Sequence, residues 1–223
     1  MNQIDNIWKN DKGFIWMLAI TVVTLISTQL DKDLVSENKL IIRVSFFLCT
    51  LVAIKSSSLS TPGKSIGYVI STALLLLAIA MIRVESQLLI SLYVVFSSGY
   101  MIFIITLIFN QIFFTGSITI NKIGGGIATY ILIGHLWTSM YLTVYILHPE
   151  SFQLGGELIQ TDEALKHLSY LSFVTLTTIG YGDIIVVGAV ARILAMLEGL
   201  IGQLFPAIFI AKLVALQIEH TRK

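Results

Sequence analysis

Apolar residues along this chain gather into long runs, at 13–30, 40–54, 65–82, 87–109, 127–147 and 188–218, divided mostly by short polar stretches. A membrane-crossing helix needs about 20 apolar residues, so the pattern predicts six transmembrane helices. The second run is the weakest, being short and carrying Arg43, whose stem can carry its charge toward an interface. The first follows Lys9 and Lys12, as a signal peptide would. It is too long for a typical h-region and lacks a clear small-residue cleavage site, so it reads as a retained helix.

Composition strengthens this picture. The chain is 56% apolar and 12% charged, with a mean hydropathy of +0.87, far from a soluble domain. A net charge of +1 gives no reason to expect nucleic acid as a partner. Cys49 stands alone, which excludes an intrachain disulfide or a cysteine metal cluster. Lys9, Lys12, Lys55, Lys64, Lys122, Arg222 and Lys223 fall on one side of the predicted spans, so both termini of a multi-pass cell-membrane protein are expected in the cytoplasm. The segment 31–37, the turn at 83–86 and the acidic stretch 148–163 then face outward.

One segment breaks the apolar pattern. Residues 175–183 read "TLTTIGYGD", a poor transmembrane helix. Just before it, Thr161 is placed to cap a helix with Asp162 and Glu163 in its first turn, continuing through "ALKHLSYLSFVTL". Such a helix of about 15 residues reaches roughly 22 Å, which enters a bilayer without crossing it. A re-entrant helix is predicted, followed by a loop that begins inside the membrane. Irregular backbone at that depth survives only when buried in protein or lining a watery cavity, and a dehydrated cation suits its carbonyls. Gly180 and Gly182 accept positive φ at little cost and permit alternating backbone conformations. Thr178, Ile179, Gly180, Tyr181 and Gly182 form the expected ion-binding stretch, with the carbonyls of the first four ligating the ion and the Thr178 hydroxyl at the inner end. The Ile179 and Tyr181 side chains then point away from the ion.

The string "TTIGYGD" at 177–183 resembles the selectivity filter of potassium channels, with Ile179 where the usual TVGYG loop has valine. "SFVTLTTIGYGD" followed by "ARILAMLEGLIGQLF" is especially similar to small bacterial potassium channels. The resemblance covers roughly residue 127 to the end. It implies an all-α membrane protein of the six-transmembrane type, with a re-entrant pore helix and filter loop between the fifth and sixth helices. A pore domain would occupy 127–223, a linker 113–126, and a four-helix domain 1–112, resembling a voltage sensor without gating charges. Tyr181 is expected to pack on an aromatic cuff containing Tyr170 and Phe173, with Asp183 bonded to Tyr170 and Thr177 supporting the loop. Some members carry Glu where this chain has Val174, so no carboxyl pair is expected there.

One chain supplies one loop, whereas a carbonyl ring needs about four, so a homotetramer in the lipid bilayer is expected. A separate regulatory subunit is the other partner that this reading admits. K+ is the permeant ligand and no cofactor is called for. Gly199, Gly202 and Pro206 are candidate hinge positions in the last helix; the other reading of the glycines is close helix packing. Glu198 and His135 are ionisable residues within spans. Hydrogen bonds to neighbouring helices are expected for both, against a cavity charge ring for Glu198 and a proton sensor for His135. Lys212 is expected at the inner interface.

Other functions fare worse. "GYGD" also fits the GxGD pattern of intramembrane aspartyl proteases, but their water activation needs a second intramembrane aspartate, and the remaining aspartates lie outside the predicted spans. The chain is therefore not read as an enzyme. A pore-loop transporter would carry several loops per chain. The alternatives retained are a weakly selective cation channel and a nonconducting regulatory subunit. The fourth run has no basic residue between Arg83 and Lys122, which argues against steep voltage gating.

Overall fold

A computed structural model describes residues 12–30, 38–57, 59–81, 86–114 and 119–221. Its helices are α1 (Gly13–Gln29), α2 (Asn38–Ser56), α3 (Thr61–Ala80), α4 (Gln87–Phe114), α5 (Ile120–Leu147), α6 (Ala164–Leu176) and α7 (Ala189–Thr221). Between α5 and α7 lie three short strands, β1 (Phe152–Leu154), β2 (Glu157–Leu158) and β3 (Ile184–Val186). The basic residues Lys9, Arg222 and Lys223, the segment 31–37 and the turn at Arg83, on which the orientation argument leaned, lie outside the described residues.

Among the described residues, four helices are long and apolar enough to cross a membrane: Thr61–Ala80, Leu88–Phe113, Ile120–Leu147 and Ala189–Ala215. The other two of the six expected spans, α1 and α2, are helical but fall short of that measure. α1 is apolar but has only 17 residues, about 25 Å of helix. α2 carries Lys39, Arg43 and Lys55, which lower its hydropathy. Inside the stretch expected as a linker, 113–126, α4 continues to Phe114 and α5 already begins at Ile120. The reason is a cap: Thr119 is extended, and its side chain accepts from the Lys122 amide at 3.3 Å, starting the helix ahead of the apolar run.

Buried hydroxyls in these helices bond back to the preceding turn, as Thr24 does to the Ile20 carbonyl at 2.8 Å and Ser27 to that of Val23 at 2.8 Å. Each polar group is thereby satisfied inside its own helix. Lipid offers little hydrophobic drive for helix association, so close contact at small residues carries more of the packing. α5 supplies such residues: Gly126 lies against the Phe209 ring and Gly134 against the Phe173 ring, and a Cβ would fall 2.1 and 2.7 Å from them.

α5 is the central helix, packed on α1, α4, α6 and α7. One apolar cluster joins α1 through α4 to Phe209 of α7. A second joins Trp137, Tyr141, Phe152, Leu168, Leu176 and Ile184 around α6. α1 is tied to this second half at both ends. Asn121 Oδ1 accepts the amides of Phe14 and Ile15 at 2.9 and 3.2 Å, while Thr28 Oγ1 lies 3.3 Å from Ser169 Oγ and Gln29 donates to the Lys166 carbonyl at 3.3 Å.

The strands form an antiparallel sheet in the order β2-β1-β3. β1 and β2 make a hairpin whose turn uses Gly155 and Gly156 at φ 59° and 89°, matching the two-residue turns that demand positive φ. β3 pairs Phe152 with Val186 and Leu154 with Ile184. This sheet fixes the exit of the 177–183 loop, since the Gly155 amide also reaches the Asp183 carbonyl at 3.2 Å.

Candidate functional site

α6 is shorter than the sequence suggests. It opens at Ala164 after a turn over residues 161–163, and neither Thr161 nor Glu163 forms a side-chain cap. Thr161 Oγ1 instead lies 3.5 Å from the Tyr145 hydroxyl, which donates to the Ile159 carbonyl at 2.8 Å. Thirteen residues remain, about 20 Å of helix.

The loop after α6 folds back on the helix end. The Thr177 amide donates to the Phe173 carbonyl at 3.0 Å and the Thr178 amide to that of Thr175 at 2.9 Å. Ile179 and Gly180 both donate to the Val174 carbonyl, at 2.9 and 3.1 Å. There is no cis peptide among the described residues, and in a planar trans peptide the carbonyl points opposite to the following amide hydrogen. The carbonyls of Thr177, Thr178 and Ile179 therefore face away from α6.

Backbone conformation alternates along the same stretch. Thr178, Gly180 and Gly182 have φ of 61°, 54° and 76°. The glycines were legible as positive-φ positions; Thr178 was not. It is the one non-glycine residue with positive φ among the described residues, and an L-residue there costs of order 1–2 kcal/mol. The whole loop 177–183 is exposed, with Ile179 at 55% and Tyr181 at 71%.

The supporting side chains divide. Tyr170 and Tyr181 stack with ring centroids 6.4 Å apart and planes 2° from parallel, and the Tyr170 side chain hydrogen-bonds Asp183. Asp183 Oδ1 also accepts the Ile184 amide at 3.0 Å. Thr177 Oγ1 donates to the Phe173 carbonyl at 2.6 Å. Phe173 packs on the α5 side. Its ring lies edge-on to His135 with centroids 5.4 Å apart and fills the space over Gly134, because the absent Gly134 side chain leaves a socket in α5.

Among the hinge candidates, Gly202 is a packing position. A Cβ there would lie 2.0 Å from the Leu176 carbonyl oxygen, so α7 meets the end of α6 backbone to backbone. At Gly199 the same atom would meet nothing within 4 Å. Pro206 stands inside α7 and has no amide hydrogen for the carbonyl of Gly202, four residues earlier. Tyr130 of α5 takes that carbonyl at 3.3 Å and the Leu176 carbonyl at 2.8 Å. The signal missed in the sequence was this tyrosine.

Behind α6, Glu198 is 0% exposed. Its Oε2 accepts from the Tyr141 hydroxyl at 2.5 Å, and its Oε1 lies 2.6 Å from Ser172 Oγ. His135 bonds the Thr21 backbone, but its Nε2 is buried without a hydrogen-bond partner among the described residues. The expected interhelical bond thus accounts for only one ring nitrogen. No group of three metal-ligating side chains occurs among the described residues.

The family model described as "Ion channel" matches residues 156–218, from the β1–β2 turn through the loop and most of α7. No curated protein and no solved structure matched the chain. With the apolar helices, the match supports a membrane protein with ion-channel function.

Proposed function

We propose that the chain is one subunit of a homotetrameric, potassium-selective channel whose filter is residues 177–183. The observation that carries this reading is the amide pattern of the loop. Four successive amides, from Thr177 to Gly180, are consumed by the end of α6, which leaves carbonyls on the open side of the backbone. A single chain offers one such row, and several rows about an axis would replace the hydration shell of a K+ ion. The exposure of Ile179 and Tyr181 fits side chains that neighbouring subunits cover. α6 would be the re-entrant pore helix, with its negative end toward the cavity and favouring a cation there. α5 and α7 would be the outer and inner helices, and α1 to α4 a collar about them.

Planar-bilayer recording of the purified protein tests this. A current carried by potassium far in preference to sodium is expected. No current would refute the channel reading, and nearly equal permeabilities would refute the selective one.

A further inference from the structure

Glu198 has an unusual set of neighbours for a carboxyl group inside an apolar assembly. α5 contributes Tyr141, whose hydroxyl donates to Oε2; α6 contributes Ser172, whose Oγ touches Oε1. The titratable groups that face it from α5 are Tyr141 and, further away, Tyr130; from α6 only the non-titratable Ser172 reaches it. No cation pairs with it among the described residues. An ionised carboxylate so enclosed would carry a large uncompensated desolvation cost.

Counting hydrogens sharpens the point. Ser172 Oγ lies 2.6 Å from Glu198 Oε1 and 2.8 Å from the Gly134 carbonyl. The serine hydroxyl has one proton. Facing two pure acceptors, it serves one fully and the other only by sharing. Each short contact has a hydrogen of its own when Oε1 itself bears a proton, which it donates to Ser172, leaving the serine proton for Gly134. The chain Tyr141 to Glu198 to Ser172 to Gly134 then runs in one direction, and links α5, α7 and α6.

We propose that Glu198 is held as a neutral carboxylic acid and is a positioning residue for the helix that carries the filter. Its proton lets Ser172 lock α6 to α5 at Gly134. The same Gly134 socket receives the Phe173 ring, and the Phe173 carbonyl holds both the amide and the hydroxyl of Thr177. Loss of the proton leaves two acceptors competing for one serine hydrogen, loosening α6 directly beneath the loop. Only the conduction part of this proposal rests on the channel reading above.

Infrared difference spectroscopy between wild-type protein and Glu198→Gln, in lipid at neutral pH, reads the proton directly. The expected result is a protonated-carboxyl C=O stretch in wild type that is missing from the variant; absence of that band from wild type overturns the proposal whether or not the protein conducts. Glutamine keeps an acceptor oxygen and a neutral donor group, its amide carrying one N–H more than the acid, so Glu198→Gln should retain wild-type assembly, current and selectivity, whereas Glu198→Ala, which breaks the chain, should lose selectivity by tenfold or more. Gel filtration identifies variants that fail to assemble. Equal loss in both assembled variants would show that the negative charge matters, against the proposal. At the alkaline pH where the band disappears, wild-type current should fall while that of Glu198→Gln holds; a parallel fall in both would also overturn it.

Discussion

Tyr130 donates its hydroxyl to the carbonyl of Leu176 at 2.8 Å, at the last residue of α6. The same oxygen reaches the Gly202 carbonyl at 3.3 Å, the group that Pro206 leaves without its helical partner. One side chain of α5 thus holds together the base of the loop and the weak point of α7. Tyr130→Phe removes the donor and keeps the ring, which stacks on Phe205 at a centroid distance of 5.7 Å. Leaving buried carbonyls unpaired costs about 1–3 kcal/mol. The variant is expected to show a melting temperature lower by roughly 2–10 °C and an altered open probability, measured by thermal unfolding in detergent and by single-channel recording. Wild-type values of both would show that the bond couples nothing.

The two glycines of α7 should respond oppositely to alanine. In Gly202→Ala the new methyl meets the Leu176 carbonyl at 2.0 Å. Backbone cannot yield as a side-chain tip can, so α7 and α6 must separate, at a cost on the order of 1–3 kcal/mol. Gly199→Ala meets nothing within 4 Å in its own chain, and replacing a mid-helix glycine gains roughly 0.5–1 kcal/mol. Thermal unfolding of the two variants checks the contrast. Destabilisation at Gly199 instead would mean that another subunit packs there.

Gly180→Ala tests the backbone of the proposed filter separately from packing. A Cβ at this residue meets nothing within 4 Å, but φ is 54°, a region that costs an L-residue about 1–3 kcal/mol. The expected outcome is loss of potassium selectivity while subunit assembly persists, measured by reversal potentials and gel filtration. Unchanged selectivity would contradict a carbonyl lining at this position. Thr178→Ala is the milder probe: barium block from the inner side should weaken, because the variant removes the hydroxyl at the end of the row.

Voltage should matter little. Each charge moved across the full field contributes about 2.3 kcal/mol per 100 mV, and steep gating needs several per subunit. α4 reads "QLLISLYVVFSSGYMIFIITLIFNQIFF", with no Lys or Arg. Open probability in symmetric potassium, free of blocking ions, is expected to change only weakly across the accessible voltage range. A steep Boltzmann curve would require a sensor elsewhere.

The sequence by itself determined the membrane class, most helix positions and the loop "TTIGYGD", because these rest on local chemistry: apolar run length, glycine placement and residue type. The hairpin around Gly155 and Gly156 was also within its reach, since a Gly-Gly pair between short apolar stretches is a turn signal; the long polar stretch obscured it. Tertiary structure alone decided the rest. Phe173 packs on α5 because Gly134, on another helix, opens a socket for its ring. Thr178 took a positive φ because its amide and the next two are bound to α6 carbonyls. Gly202 became a contact rather than a free bend because the end of α6 lies against it. Glu198 found Tyr141 and Ser172 on two different helices. Hydrophobic periodicity records which residues avoid water, but in lipid nearly every face of a helix does so, and the choice of neighbour falls to shape and hydrogen bonds between distant segments.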